Sequence, residues 1–143
     1  MKPIYSFLRH LYLFFFIGMF FTGIAYAQNS FDKGMKEFRE ENYEEALNFF
    51  IEARKEDPRS SMAAYFLGLN YKVMEDYRQA VPHLRDAVTL VPHIKEALIE
   101  LIDALYQIDN LTEAKKWIEV GEKEKIQPAR LQFLKGLVLA KQG

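Results

Sequence analysis

The stretch from Ala64 to Pro92, AYFLGLNYKVMEDYRQAVPHLRDAVTLVP, decides the fold because its pattern recurs along the chain. Gly34, Gly68 and Gly136 keep an interval of 34 residues or a multiple of it, with Ile102 at the intermediate position. Four further registers keep the same interval: Ala46, Ala80 and Ala114; Tyr43, Tyr77 and Leu111; Asn42, Asp76 and Asn110; and Ala53, Ala87 and Gly121. A fixed period of about 20 to 50 residues is typical of repeat proteins, so the sequence predicts a repeat architecture.

The same stretch resembles a tetratricopeptide repeat, which is a helix–turn–helix unit of about 34 residues. The residues that carry the resemblance are Leu67, Gly68, Tyr71, Ala80, Leu84, Ala87 and Pro92. The resemblance covers roughly residues 29 to 143 and implies an all-α solenoid of helix pairs. We expect residues 28–143 to form the repeat domain, with repeats at about 28–60, 61–94 and 95–128 and a partial repeat at 129–143.

Each repeat is expected to hold two antiparallel helices, and the turn inside each pair carries its own signal. Asn42, Asp76 and Asn110 each stand three residues before Glu or Gln, which predicts side-chain caps on the second helices. Ile102 replaces the recurring glycine in the third pair beside Gly121, so these two positions are expected to exchange bulk. The predicted helices span 29–41, 43–56, 60–74, 77–90, 94–108, 111–125 and 129–141.

Residues 1–27 have the three-part layout of a secretory signal peptide. Lys2 and Arg9 form a basic leader, an apolar run covers 11–24, and small residues in 25–27 flank a cleavage point before Gln28. The sequence therefore predicts export to a bacterial periplasm. The alternative is an uncleaved anchor, because 11–27 is just long enough to span a bilayer; membrane contact would then be confined to this segment.

The last predicted helix is more apolar than a terminal helix needs to be. Terminal repeats normally present a polar outer face, because nothing stacks on them. We therefore expect either half of a fourth repeat in a chain that continues beyond Gly143, which we favour, or a helix that docks on something else. The apolar residues are Leu131, Phe133, Leu134, Leu137, Val138 and Leu139.

No catalytic, cofactor or metal motif is visible, and the prediction is that the chain is not an enzyme. There is no cysteine, no glycine-rich phosphate loop and no His-Glu-x-x-His pair. His83 takes the place of Phe49 and Trp117 in the neighbouring repeats, which predicts a half-buried packing role. The mildly acidic mature charge argues against nucleic acid, and no small-molecule substrate is expected.

The expected function is therefore that of an exported interaction module or scaffold for a protein or peptide partner. The competing interpretation is an accessory region at the front of a longer periplasmic enzyme or assembly factor. A weaker alternative is a structural spacer or a self-assembling array. Tetratricopeptide repeats bind many unrelated proteins, so the resemblance alone names no partner.

In the proteins that this chain resembles, the first helix of each repeat lines the concave side. The positions that this implies are mostly apolar, and contiguous exposed apolar surface usually marks a partner site. We expect an amphipathic helix or extended apolar segment to bind there, although many of the same side chains could instead pack between repeats. The family's acidic chaperone tails are disfavoured, because apolar residues and Glu96 and Glu100 occupy the positions of their basic and amide contacts. The predicted partner-binding residues are Phe31, Met35, Phe38, Met62, Tyr65, Leu69, Val73, Ile99, Tyr106, Phe133 and Leu137, with Asp103 on the same face.

Overall fold

The computed structural model describes residues 29–91, 94–126 and 129–142, and these residues form seven α-helices without strands. The signal peptide predicted for residues 1–27 lies outside the described residues. Six helices form three consecutive pairs, and the seventh follows alone. The helices are α1 Ser30–Arg39, α2 Tyr43–Glu56, α3 Ser61–Val73, α4 Tyr77–Leu90, α5 Lys95–Gln107, α6 Leu111–Lys123 and α7 Ala129–Gln142. The all-α fold predicted from the repeat is confirmed, and each helix lies within two residues of its predicted bounds.

The turn inside each pair follows one backbone design. A residue with positive φ stands two positions after the end of each first helix, at Glu41, Glu75 and Asp109, each 34 residues from the next. The next residue's amide then donates to the carbonyl of the residue five positions earlier, at 2.9 Å in all three turns. This closure satisfies a helix carbonyl that would otherwise lack a partner.

The predicted caps form at two of the three turns. The side chains of Asp76 and Asn110 accept from the amides of Gln79 and Glu113. The cap predicted at Asn42 was wrong, because its side-chain amide donates to Glu37 at 2.9 Å instead of capping α2.

Small residues let the helices of the first two pairs approach closely. A Cβ added at Gly34 would lie 2.7 Å from the Phe50 ring, and one added at Gly68 would lie 2.7 Å from Leu84 Cγ. Both contacts join a first helix to the second helix of the same pair. The space at these glycines is therefore filled by core side chains of the partner helix.

The atoms nearest to Gly121 belong to two leucines and not to Ile102, with which an exchange of bulk was predicted. A Cβ at Gly121 would meet Leu98 and Leu131, at 2.9 Å and 3.0 Å from their Cδ2 atoms. Leu98 lies on α5 and Leu131 on α7. Gly121 therefore makes room for one leucine of its own pair and for one leucine of the last helix.

The core runs along the array in two connected parts. One cluster of buried side chains extends from α3 to α7, and a smaller one joins α1, α2 and α3 around Phe50. Each second helix packs on the first helix of the next pair, so burial is shared between neighbours, as in other repeat proteins.

Asn70 is the one buried polar side chain in the described residues. Its amide nitrogen donates to the backbone carbonyl of Tyr43 at 2.8 Å. This hydrogen bond ties the first residue of α2 to α3, across the boundary between the first two pairs.

The apolar residues of α7 divide among several directions. Leu131, Leu134 and Val138 are buried against the third pair. Phe133 and Leu139 are exposed, and no atom lies within 4 Å of a Cβ built at Gly136. The large apolar content of this helix is therefore distributed rather than collected on one outer face.

Within the described ranges, no helix combines the length and apolar character that a bilayer crossing requires.

Candidate functional site

The first helices of the pairs lie side by side and form one continuous face of the array. α3 packs on α5 and α5 on α7, while the rings of Phe31 and Phe38 on α1 lie 5.7 Å and 6.0 Å from that of Phe66 on α3. In the described part of the chain, no two second helices pack to this extent. Ion pairs between long side chains, such as Arg54–Asp86 and Arg85–Glu113, connect them instead. The first-helix face is therefore the inner side, and we call it the groove.

The predicted groove residues of α3 keep part of their surface in solvent. Val73 is 41% exposed and Met62 is also exposed, while Tyr65 and Leu69 are half-buried. On α7, Phe133 is 64% exposed and Leu137 is half-buried. By the 34-residue period, Phe133 and Leu137 hold the registers of Tyr65 and Leu69.

Other predicted members of the groove are drawn into packing between helices. Ile99 is buried in the main core. Phe31 and Phe38 are half-buried and lie 5.9 Å and 6.1 Å, centroid to centroid, from the ring of Phe50. Met35 packs against the same small cluster. The α1 end of the groove is thus held by aromatic packing, and most of its open apolar surface lies on α3 and α7.

A group of four charged side chains crosses the groove, and two of them, Lys72 and Arg130, were missed in the sequence analysis. Lys72 of α3 pairs with both Glu100 and Asp103 of α5. Arg130 of α7 reaches the same two carboxylates, with Nη1 2.8 Å from Glu100 Oε1 and Nη2 3.3 Å from Asp103 Oδ2. We call these four residues the charge network. The 34-residue period contained a signal for the two cations, because each replaces an apolar or aromatic residue of the groove. Lys72 holds the register of Phe38 and Tyr106, and Arg130 holds that of Met62.

Tyr65 lies between the apolar side chains and the charge network. Burial raises the pKa of its hydroxyl, and the carboxylates of Glu100 and Glu96 add to the rise. Arg130 opposes it. The hydroxyl therefore stays protonated and can donate a hydrogen bond to a ligand in the groove.

Tyr106 contributes its ring to the end of the groove near α7. The Nζ atom of Lys141 lies 4.7 Å from the ring centroid and 2.9 Å from Asp109 Oδ1. This lysine covers part of the Tyr106 ring, so the two α5 positions predicted for the groove, Ile99 and Tyr106, offer less free surface than those of α3.

The predicted packing role of His83 is confirmed. Its ring stacks on that of Tyr71 with the centroids 5.5 Å apart and the planes at 7°. Burial lowers the pKa of His83 below its usual value. In the described residues, no cluster of three His, Cys, Asp or Glu side chains is arranged to hold a metal ion.

The repeat is recognised in both sequence and structure comparisons. Residues 74–136 match the tetratricopeptide repeat family, and no curated protein sequence matches the chain significantly. The first tetratricopeptide domain of Spaghetti (RPAP3), solved with the HSP90 peptide SRMEEVD, is 23% identical, covers 82% of this chain and 96% of its own, and has a TM-score of 0.69.

Two further solved structures are similar over most of the chain. The second tetratricopeptide domain of human RPAP3, solved with the HSP70 peptide SGPTIEEVD, is 21% identical with a TM-score of 0.68 and covers 78% of this chain and 93% of its own. The Yersinia enterocolitica type III secretion chaperone SycD, solved with a peptide of the translocator YopD, is 16% identical with a TM-score of 0.71 and covers 81% and 94%. The seven described helices therefore adopt the tetratricopeptide repeat fold, and residues 74–136 carry the sequence pattern of that family.

Proposed function

We propose that this chain is an interaction module that binds a helix or an extended segment of a partner protein in its groove. The observation that carries the proposal is the exposed apolar surface of α3 and α7, represented by Met62, Val73 and Phe133 on first helices. Exposed apolar side chains grouped on one face commonly mark a site of protein association.

The chemistry of the groove suits a peptide better than a small molecule. Flexible Met35 and Met62 can adapt to different apolar side chains. Tyr65 adds a ring with a hydroxyl that can fix the position of a bound backbone. The similar structures support a peptide ligand, since RPAP3 domains were solved with chaperone peptides and SycD with a translocator peptide.

The test compares two double variants that differ in the face they alter. Tyr65→Ala/Leu69→Glu removes the proposed anchors from the groove, whereas Thr89→Ala/Leu90→Glu makes matched changes on the second helix α4. After circular dichroism has verified folding, each variant and the wild type are used in cross-linked pull-downs from envelope extract. The groove variant should lose partners that the wild type and the α4 variant both recover. Equal recovery by both variants would exclude the groove as the binding site.

We also propose that the module acts outside the cytoplasm after removal of residues 1–27. The basic leader, the apolar run and the small residues before Gln28 support this proposal. Mass spectrometry of the protein from an envelope fraction should give Gln28 as the first residue. A form that begins at Met1 and stays in the inner membrane would contradict it.

A further inference from the structure

The two cations of the charge network are already bound by carboxylates of the chain itself. Lys72 and Arg130 both contact Glu100 and Asp103, so two positive and two negative charges balance within the groove. Arg130 spans the two carboxylates with its two terminal nitrogens, which is a favourable geometry for a guanidinium. A ligand that enters the groove therefore finds Lys72 and Arg130 paired.

Burial makes the pairing of Lys72 with the two carboxylates difficult to exchange, whereas Arg130 is 51% exposed and closes the network from the solvent side. The side chains of Lys72 and Glu100 are each 13% exposed, and that of Asp103 is 18% exposed. Removing one partner from a pair so far from water leaves a charge without compensation, and this is strongly unfavourable. An incoming carboxylate would have to displace Glu100 or Asp103, or stand beside them against like-charge repulsion.

The period indicates that these acids are not required by the repeat itself. Glu100 holds the register of Phe66 and Leu134, which pack on apolar neighbours in their own repeats, and of Asp32, which is exposed at the start of α1. Asp103 holds the register of Met35, Leu69 and Leu137. α5 thus carries two carboxylates where the helices on either side of it, α3 and α7, carry apolar side chains.

We propose that Glu100 and Asp103 are specificity-determining residues that prevent Lys72 and Arg130 from binding a partner's carboxylates. The groove then takes an apolar segment that carries no acidic residue where it crosses α5. This inference rests on the proposed function and names the chemistry of the partner. It sets this groove apart from the RPAP3 domain that was solved with the acidic peptide SRMEEVD.

The experiment measures the binding of two labelled peptides by fluorescence anisotropy, with the full chain as wild type and as variants. The acidic probe is SRMEEVD, and the control probe is SRMQQVN, in which side-chain amides replace the three side-chain carboxylates. The wild type should show no preference for the acidic probe. Glu100→Gln/Asp103→Asn frees both cations and should bind the acidic probe at least about tenfold more tightly than the wild type does. Salt should weaken this binding.

Controls separate a local effect from a change in net charge. Glu44→Gln/Glu45→Gln removes two exposed acids from α2 and should leave acidic-probe binding at the wild-type level. Adding Arg130→Gln to Glu100→Gln/Asp103→Asn should abolish most of the gain in affinity for the acidic probe. If the double variant does not fold, the single variant Asp103→Asn provides the test. Glu100 then still pairs with Lys72, while one nitrogen of Arg130 is released. This variant should show a smaller gain in affinity for the acidic probe.

The inference is overturned if the wild type already prefers the acidic probe. It is also overturned if the folded variants of Glu100 and Asp103 gain no more affinity for that probe than the α2 control does. Either result leaves the pull-down comparison of Tyr65→Ala/Leu69→Glu with its α4 control unaffected. Failure of the proposed function would appear in that comparison instead, as equal recovery of partners by both variants.

Discussion

Single residues adapt each copy of the repeat to its neighbours. Asn70 stands in a register that holds Ala104 and Val138 in later copies, and its hydrogen bond to Tyr43 fastens α3 to the start of α2. His83 holds the register of Phe49 and Trp117, and it stacks on Tyr71 in place of a larger apolar ring. A titratable ring in such a packing position makes stability depend on pH.

The environment of His83 predicts a loss of stability under mildly acidic conditions. Burial lowers its pKa in the folded chain; Asp86 opposes this effect, and Arg54 adds to it. In the unfolded chain the imidazole titrates near its ordinary pKa of about 6.5. As the pH falls below that value, the unfolded chain takes up a proton that the folded chain resists, so the free energy of unfolding decreases. Above about pH 6.5 this contribution is fully present.

His83→Phe should remove this part of the pH dependence, because Phe49 shows that the register accepts a phenylalanine. Urea unfolding of the wild type and the variant at pH 7.5 and pH 5 measures the effect. The wild type should lose more stability than the variant between the two pH values. The same loss in both proteins would show that the burial of His83 does not resist protonation.

At the scale of elements, the sequence period specifies the helix pairs and leaves their turns and neighbours less defined. Gly34 and Gly68 mark the close contact within the first two pairs, as expected. The period did not reveal that Glu41, Glu75 and Asp109 adopt positive φ, because such residues lack the usual glycine signal. Nor did it reveal that Gly121 makes room for Leu131, since that contact joins the third pair to the helix that follows it.

Two glycines of the same register should respond in opposite ways to alanine. Gly68→Ala places a Cβ 2.7 Å from Leu84 Cγ and 3.0 Å from the Leu84 amide nitrogen, in a fully packed contact. We expect a loss of about 1–3 kcal/mol in the free energy of unfolding. Gly136→Ala meets no atom within 4 Å and should be neutral or stabilise by up to about 1 kcal/mol, since alanine favours the helix.

Denaturant titration of both alanine variants measures this contrast. Gly136→Ala also controls for the intrinsic preference of alanine for a helix. Equal changes in stability at Gly68 and Gly136 would mean that α3 and α4 do not meet as closely as described.

At the scale of the whole molecule, the array presents an inner face with an aromatic end at α1, open apolar surface on α3 and α7, and a charge network that crosses α5 between them. The register identified most apolar members of this face from sequence. It could not tell which of them turn towards a neighbouring helix, as Ile99 does, because that depends on how successive pairs are rotated. Lys72 and Arg130 were missed because their carboxylate partners lie 27 to 31 residues away and leave no local pattern.

Site-specific photo-cross-linking in the producing cells can show directly whether partners bind on the groove side. Val73 and Leu90 are the last residues of α3 and α4, with exposures of 41% and 39%, and they lie on opposite sides of the array. A photoreactive phenylalanine analogue is placed at one position or the other in the full chain. We expect strong adducts from position 73, formed with apolar segments of a partner, and weak adducts from position 90. Equal yields at the two positions, or stronger adducts from position 90, would contradict it.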